Sequence, residues 1–327
     1  MTLSERGTVL GVDVGGTKIA LAPVDRAGRI TAPVLTQSSR TDDTEAFLSG
    51  LEAALRNALH TFAEADVRAV GLACAGTVDS ERGVVVTSPN LPLREVPVAS
   101  RMQKALGVPV VLENDANAAA LGEVACGAAV GYRHVVMVTL GTGIGGGLIL
   151  DGRPYHGAGG GAAELGHTIV CRDGELCACG TRGCWEMYAS GKALQRFARD
   201  RAGSRRDDPD GRLAGLKAQG ALDGEGVSRL AFEGHPGALA AVAELAGWLG
   251  TGLVGLVNAF NPEVVVVGGG VSRLGDLILE PAARMVRESA LAPNRDQVRL
   301  VAAALGNDAG LVGGALAAWD RLVGAEG

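Results

Sequence analysis

Aromatic residues make up only 3% of this 327-residue chain. Such scarcity argues against an all-β sandwich and against a surface that stacks nucleobases. No block of Lys or Arg occurs and the formal net charge is −6, so nothing attracts nucleic acid or anionic lipid in general. The N-terminal residues MTLSERG lack the apolar run of a signal peptide. The stretches poorest in charge, Val135–Leu150 and Leu245–Pro262, are interrupted by glycine and polar residues and do not read as membrane spans. A cytoplasmic protein that binds neither nucleic acid nor membrane is therefore expected. Also missing are an H-E-x-x-H pair, a C-x-x-C pair, a GxxxxGK[ST] loop and a nucleophile elbow. These absences weigh against zinc-protease, dithiol, P-loop and serine-hydrolase chemistry.

Glycine is what the chain has in excess, with 50 residues, about twice the usual share. It follows no three-residue period, so a collagen-like reading fails. Hydrophobic residues, at 47%, are ample for packed cores, and the length suits about two domains.

Along the chain, TVLGVDVGG, KIALAPVD and ITAPVL read as strands joined by tight turns. Thr41–Phe62 carries apolar residues at Phe47, Leu48, Leu51, Leu55 and Leu59, a helical spacing. VRAVGLACAG is a strand, Gly76–Pro97 reads as a punctuated loop, and a short helix then leads to GVPVVLEND. The second half repeats this layout. VMVTLGTGIGGGLILD (Val136–Asp151) matches VLGVDVGGTKIALAPVD (Val9–Asp25), and PEVVVVGGGVS (Pro262–Ser272) matches VRAVGLACAG. Each half is one β-β-β-α-β-α-β unit, which predicts a duplicated α/β fold with two lobes around a central cleft. The expected division is a small lobe of residues 1–114, completed by a C-terminal helix 303–327, and a large lobe of 115–302. The large lobe holds an insertion from Tyr155 to Pro236, in which the mixed charges of Arg199–Arg212 read as a solvated loop.

Three glycine turns and two polar clusters are the candidates for chemistry. DVGGTK (Asp13–Lys18) and LGTGIGGG (Leu140–Gly147) lie between strands, where backbone N–H groups and the Thr17 or Thr142 hydroxyl can approach an anion. Asp13 is placed to hold a divalent cation through water or to orient a phosphate. GGGVS (Gly268–Ser272) ends a valine strand, the usual ligand end of an open α/β sheet. In LENDANAAALGE (Leu112–Glu123), Asn114 and Asp115 stand between a strand and a helix, either as caps or as a base for a substrate hydroxyl. ELGHTIVCRDGELCACGTRGCWE (Glu164–Glu186) gathers His167, Cys171, Cys177, Cys179 and Cys184. One nitrogen and three thiolates, or alternatively four thiolates, suit a tetrahedral structural zinc. His60, His134, His156 and His235 read as surface or packing residues.

Together, DVGGTK, LENDANAAALGE, LGTGIGGG, CACGTRGCWE and GGGVS resemble the ROK family of sugar kinases over nearly the whole chain. The resemblance implies a duplicated ribonuclease H-like (actin-like ATPase) fold and ATP-dependent phosphorylation of D-glucose at its 6-hydroxyl. It makes Asp115 the base, with Asn114, Glu164, His167 and Glu186 on the ring hydroxyls and Gly76 and Asn90 at the pocket wall. Asp13, Gly15, Gly16, Thr17, Lys18, Thr142 and Gly143 would surround the phosphates, and Gly269 and Gly270 the adenosine. His167, Cys177, Cys179 and Cys184 become the zinc ligands, leaving Cys171 outside, and Mg²⁺ accompanies ATP. A homodimer or homotetramer is implied. Other family members phosphorylate other hexoses or N-acetylhexosamines, or are repressors with an N-terminal DNA-binding domain, for which the first strand near Thr8 is expected to leave no room.

Overall fold

Short apolar runs in the first forty residues, buried along nearly their whole length, build the first sheet. In a computed structural model, which describes residues 7–324, β1 (Thr8–Val14) and β2 (Lys18–Val24) pair antiparallel with Val14 opposite Ile19. β3 (Leu35–Ser38) extends the hairpin. It begins later than the expected strand at Ile30, which makes only an isolated bridge to Val24, because Pro33 has no N–H for the ladder. α1 (Thr44–Thr61) buries Phe47, Leu48, Leu51 and Leu55, and Asp43 caps it by accepting the Ala46 N–H at 2.7 Å. β4 (Val67–Cys74) pairs parallel with β1. The stretch expected to be a loop instead holds β5 (Thr77–Asp79), β6 (Val84–Thr87) and β7 (Arg94–Val96), a small antiparallel sheet. Strands this short carry too few residues to show a period. α2 (Val98–Leu106) then leads to β8 (Val110–Asn114), parallel to β4, and α3 (Asp115–Cys126) follows without a break.

The first sheet has the order β3-β2-β1-β4-β8. A second contains β9 (Val135–Leu140), β10 (Ile144–Leu150) and β11 (Arg153–Pro154). After them come α4 (Glu186–Ala189), α5 (Gly191–Arg201), α6 (Arg212–Ala218), α7 (Gly224–Phe232) and α8 (Pro236–Phe260). β12 (Val264–Gly268), α9 (Asp276–Ser289), α10 (Asn294–Gln297), β13 (Arg299–Ala302) and α11 (Ala309–Gly324) complete the chain. The second sheet runs β11-β10-β9-β12-β13, the same order as the first, so the fold is a duplicated α/β arrangement of ribonuclease H-like type.

The chain divides into two compact units. One contains the residues up to Met137, Gly147–Ala163 and those from Ala304 onward; the other contains Val138–Gly146 and Glu164–Ala303. α3 therefore belongs to the first unit, and the break does not fall after residue 114. The reason is packing against α11. A Cβ on Gly71 of β4 would meet the Gly314 carbonyl at 1.9 Å, so only glycine lets helix and sheet approach this closely. Glu123 of α3, fully buried, accepts the N–H groups of Leu305 (2.8 Å), Ala304 (3.1 Å) and Ala128 (2.7 Å). Hydrogen bonds to a charged group contribute about 1.5–3 kcal/mol each, so this carboxylate is a principal fastening for the returning chain.

Within the second unit, α8 is long and apolar enough by composition to cross a membrane. Its buried side chains, Leu245, Leu249 and Leu253 among them, instead form a core with α5, α7 and α9. His235 caps α8 through Nδ1 and is itself fully buried beside Asp208 and Asp210. It is thus a packing residue with two acidic partners.

Candidate active site

Parallel register determines which residues meet at the strand ends of the first unit. Asp13, Ala73 and Glu113 form one row, and Val14, Cys74 and Asn114 the next. Asp115 follows immediately as the first residue of α3. Ligands of open α/β sheets bind at this carboxyl end of the strands.

Asn114, rather than Asp115, occupies the cap position. Its Oδ1 accepts the Ala116 and Asn117 N–H groups at 2.9 and 3.0 Å, and its Nδ2 donates to the Gly76 carbonyl at 2.9 Å. The same Nδ2 reaches Asp115 Oδ1 at 3.1 Å, and the Ala116 N–H reaches that oxygen at 2.9 Å. One carboxylate oxygen of Asp115 is thereby anchored to the helix start. Gly76 joins this cluster through its carbonyl. Asn90 lies elsewhere in the unit, against Gly16, where an added Cβ would sit 3.0 Å from it.

The Gly15–Lys18 turn closes through the Gly15 N–H to the Lys18 carbonyl at 3.0 Å, and the Ser39 hydroxyl donates to the Gly15 carbonyl at 2.8 Å. Thr17 and Lys18 are exposed. The Asp13 carboxylate faces Gly310 in the first turn of α11. Burial raises Asp13 to about 6, against the opposing pull of Lys18. Burial and the charges of Asp115 and Asp13 likewise push the Cys74 thiol upward.

Glu113 was not singled out from the sequence, and His156, expected at the surface or in packing, is its partner. Glu113 is buried, and its Oε1 accepts from Ser80 Oγ at 3.1 Å, the Asn114 N–H at 2.9 Å and Asn117 Nδ2 at 3.3 Å. Its Oε2 lies 2.8 Å from His156 Nε2, and this hydrogen bond raises the pKa of His156 above its ordinary value. A partner 43 positions away leaves no mark in local periodicity. The only available signal was a carboxylate directly before Asn114–Asp115.

In the second unit, the turn between β9 and β10 lies beside the segments that carry three expected sugar ligands, Glu164, His167 and Glu186. The Ile144 N–H donates to Glu186 Oε2 at 3.0 Å, and a Cβ on Gly143 would fall 2.0 Å from that oxygen. Any side chain at Gly143 would therefore displace Glu186. Gly166 packs against the Ile144 carbonyl, bringing the 3-10 turn Leu165–His167, and Glu164 before it, to the same strand start. Thr142 lies within this turn. Gly269 and Gly270 follow β12, where Gly269 approaches the backbone of Leu140.

His167, Cys177, Cys179 and Cys184 form one cluster, their ligand atoms all within 4.8 Å of one another. His167 Nδ1 is 3.7 Å from Cys177 Sγ, and Cys179 Sγ is 3.6 Å from Cys184 Sγ. Thiolates about 2.3 Å from a tetrahedral zinc are separated by about 3.8 Å, so the spacing fits such an ion. Burial and neighbouring sulfurs push Cys184 up to about 12, while the Thr181 N–H holds Cys179 at about 7. Cys171 stands outside the cluster.

The description of the ROK family matches residues 9–321. A glucokinase from Streptomyces coelicolor is 41% identical over 311 residues, covering 94% of this chain and 96% of that protein. The crystal structure of a ROK family glucokinase from Streptomyces griseus in complex with glucose and AMPPNP has a TM-score of 0.82 at 42% identity, covering 94% of this chain and 98% of that one. The xylose repressor of Bacillus subtilis is 30% identical over 244 residues, 75% of this chain but 59% of the repressor.

Asp13 generates a pH prediction. Its folded pKa of about 6 lies above the ordinary 3.8, so its contribution is fully favourable below 3.8 and is lost as the pH rises through about 6. The penalty at pH 8 is about 3 kcal/mol. Asp13→Asn should raise the melting temperature by several degrees at pH 8 and leave it nearly unchanged at pH 4. Thermal denaturation at the two pH values checks this; equal shifts at both would contradict it.

Proposed function

The chain belongs to the ROK family, and on that premise we propose that it is a glucokinase, transferring the γ-phosphoryl group of ATP to the 6-hydroxyl of D-glucose. The observation that carries this reading is Asp115, a carboxylate held by Asn114 and the helix start at the end of a parallel strand. Its relatives support the choice of substrates: the Streptomyces griseus enzyme at 42% identity was crystallised with glucose and an ATP analogue.

In the reaction, the O6 lone pair attacks the γ-phosphorus while Asp115 takes the O6 proton. The new O6–P bond forms as the bond from the γ-phosphorus to the bridging oxygen breaks, and ADP leaves with that electron pair. Transfer of this kind needs positioning and charge compensation more than covalent help. Asn114, Glu164, His167 and Glu186 are the ring-hydroxyl ligands. Gly76 and Asn90 serve as neighbouring wall residues. Gly15, Gly16, Thr17 and Lys18 of one turn and Thr142 and Gly143 of the other are the phosphate ligands, and Gly269 and Gly270 take the adenosine. Mg²⁺ bound with ATP would supply countercharge, and Asp13 is the residue assigned to orient it.

Zinc held by His167 Nδ1, Cys177, Cys179 and Cys184 has a structural role. With a metal on Nδ1, His167 Nε2 would be left as a hydrogen-bond donor for a sugar hydroxyl. The protein acts in the cytoplasm as a homodimer or homotetramer.

Two outcomes check these assignments. Asp115→Asn should lower kcat for glucose about 1,000-fold without changing the circular dichroism spectrum, the range expected for loss of a general base; a variant retaining most of its kcat would show that the base lies elsewhere. Wild-type protein should carry one zinc per chain by elemental analysis, and Cys177→Ser should lose it together with most of the activity. Full activity in metal-free protein would remove zinc from the account.

A further inference from the structure

We infer that Glu113 is the positioning residue for Asp115: its buried carboxylate brackets the turn that carries the base. The inference rests on the reading of Asp115 as that base.

Glu113 grips the chain on both sides of Asp115. Its Oε1 accepts the backbone N–H of Asn114, the residue before Asp115, and the side-chain amide of Asn117, two residues after it. Ser80, beyond the end of β5, donates to the same oxygen, and His156 holds Oε2 at 2.8 Å. Four hydrogen-bond partners from three stretches of chain thus converge on one carboxylate, on both of its oxygens.

Asn117 shows which contact dominates. Its Oδ1 is buried and accepts no hydrogen bond, because its Nδ2 is turned toward Glu113. A buried unpaired carbonyl is costly. Turning the amide over would set oxygen against oxygen. The carboxylate therefore imposes the orientation of Asn117, whose own backbone N–H is bound by the Asn114 cap.

A buried ionic network often gives little net stability compared with apolar packing. What this one specifies is geometry, one residue on either side of a group whose placement decides the rate. Displacing a reacting group by about 1 Å can lower a rate about 100-fold. Gln at this position keeps an acceptor oxygen for Ser80, Asn114 and Asn117, and its amide can donate to His156 in the other ring tautomer. Ala keeps none of these contacts.

The test is steady-state kinetics of the full chain with glucose and ATP, with melting temperatures recorded alongside. Glu113→Ala should lower kcat about 100-fold with both KM values within about threefold of wild type. Glu113→Gln should recover kcat to within about tenfold of wild type. A folded Glu113→Ala with near-normal kcat, a loss carried wholly by KM, or no recovery in Glu113→Gln would each overturn the inference. Should Glu113→Ala not fold, Asn117→Ala carries the test: a kcat about tenfold lower at constant KM supports the role, and an unchanged kcat overturns it. Asp115→Asn distinguishes the two readings. If it keeps kcat, the assignment of the base fails; if it is inactive while Glu113→Ala is not, only the positioning role fails.

Discussion

Parallel pairing of β1, β4 and β8 is the constraint on which the first unit depends. Three strands that run the same way in register must end at the same edge, and their last residues are Asp13 with Val14, Cys74, and Glu113 with Asn114. Acidic side chains are therefore gathered at one end of the sheet, where burial raises Asp13 and, together with the charges of Asp115 and Asp13, raises Cys74. A fold optimised only for stability gains nothing from this arrangement. A site that handles a polyphosphate through its metal ion and removes a hydroxyl proton can use it. The cost is offset by what surrounds the row: the cap at Asn114, the glycine contact between β4 and α11, and the fastening of the returning chain by Glu123.

The second unit solves a similar problem with a hairpin and a Cys/His cluster. Its glycine turn is shaped to receive Glu186, and the Cys/His cluster draws His167 and the Cys177–Cys184 loop together. The two features are linked through the chain, because Glu186 begins α4 only two residues after Cys184. A metal there would hold the loop whose end supplies Glu186.

Much of this was legible in the sequence where the signal is local. The α1 helix follows from its apolar spacing, the turns from Asp13–Lys18 and Leu140–Gly147, and the Cys/His cluster from closely spaced donors. The repeated pattern predicted two equivalent halves, and the two sheets do share one strand order. What stayed hidden depends on distance along the chain or on brevity. Glu113 meets His156, and Glu123 meets Leu305, across separations that no local period records. The strands between Gly76 and Pro97 are too short to alternate visibly. The division of the chain also escaped, because α3 is committed to α11 by packing rather than by any break in composition near residue 114.

The central claim is that these strand ends serve phosphoryl transfer to glucose. It is tested most directly by supplying the purified chain with ATP and Mg²⁺ and with one sugar at a time, measuring ADP and identifying the sugar phosphate. The account predicts glucose-dependent release of ADP, matched one-to-one by glucose 6-phosphate, with N-acetylglucosamine, N-acetylmannosamine, mannose and fructose turned over more slowly. Absence of glucose-dependent ADP release, or faster turnover of any of those other sugars, would contradict it.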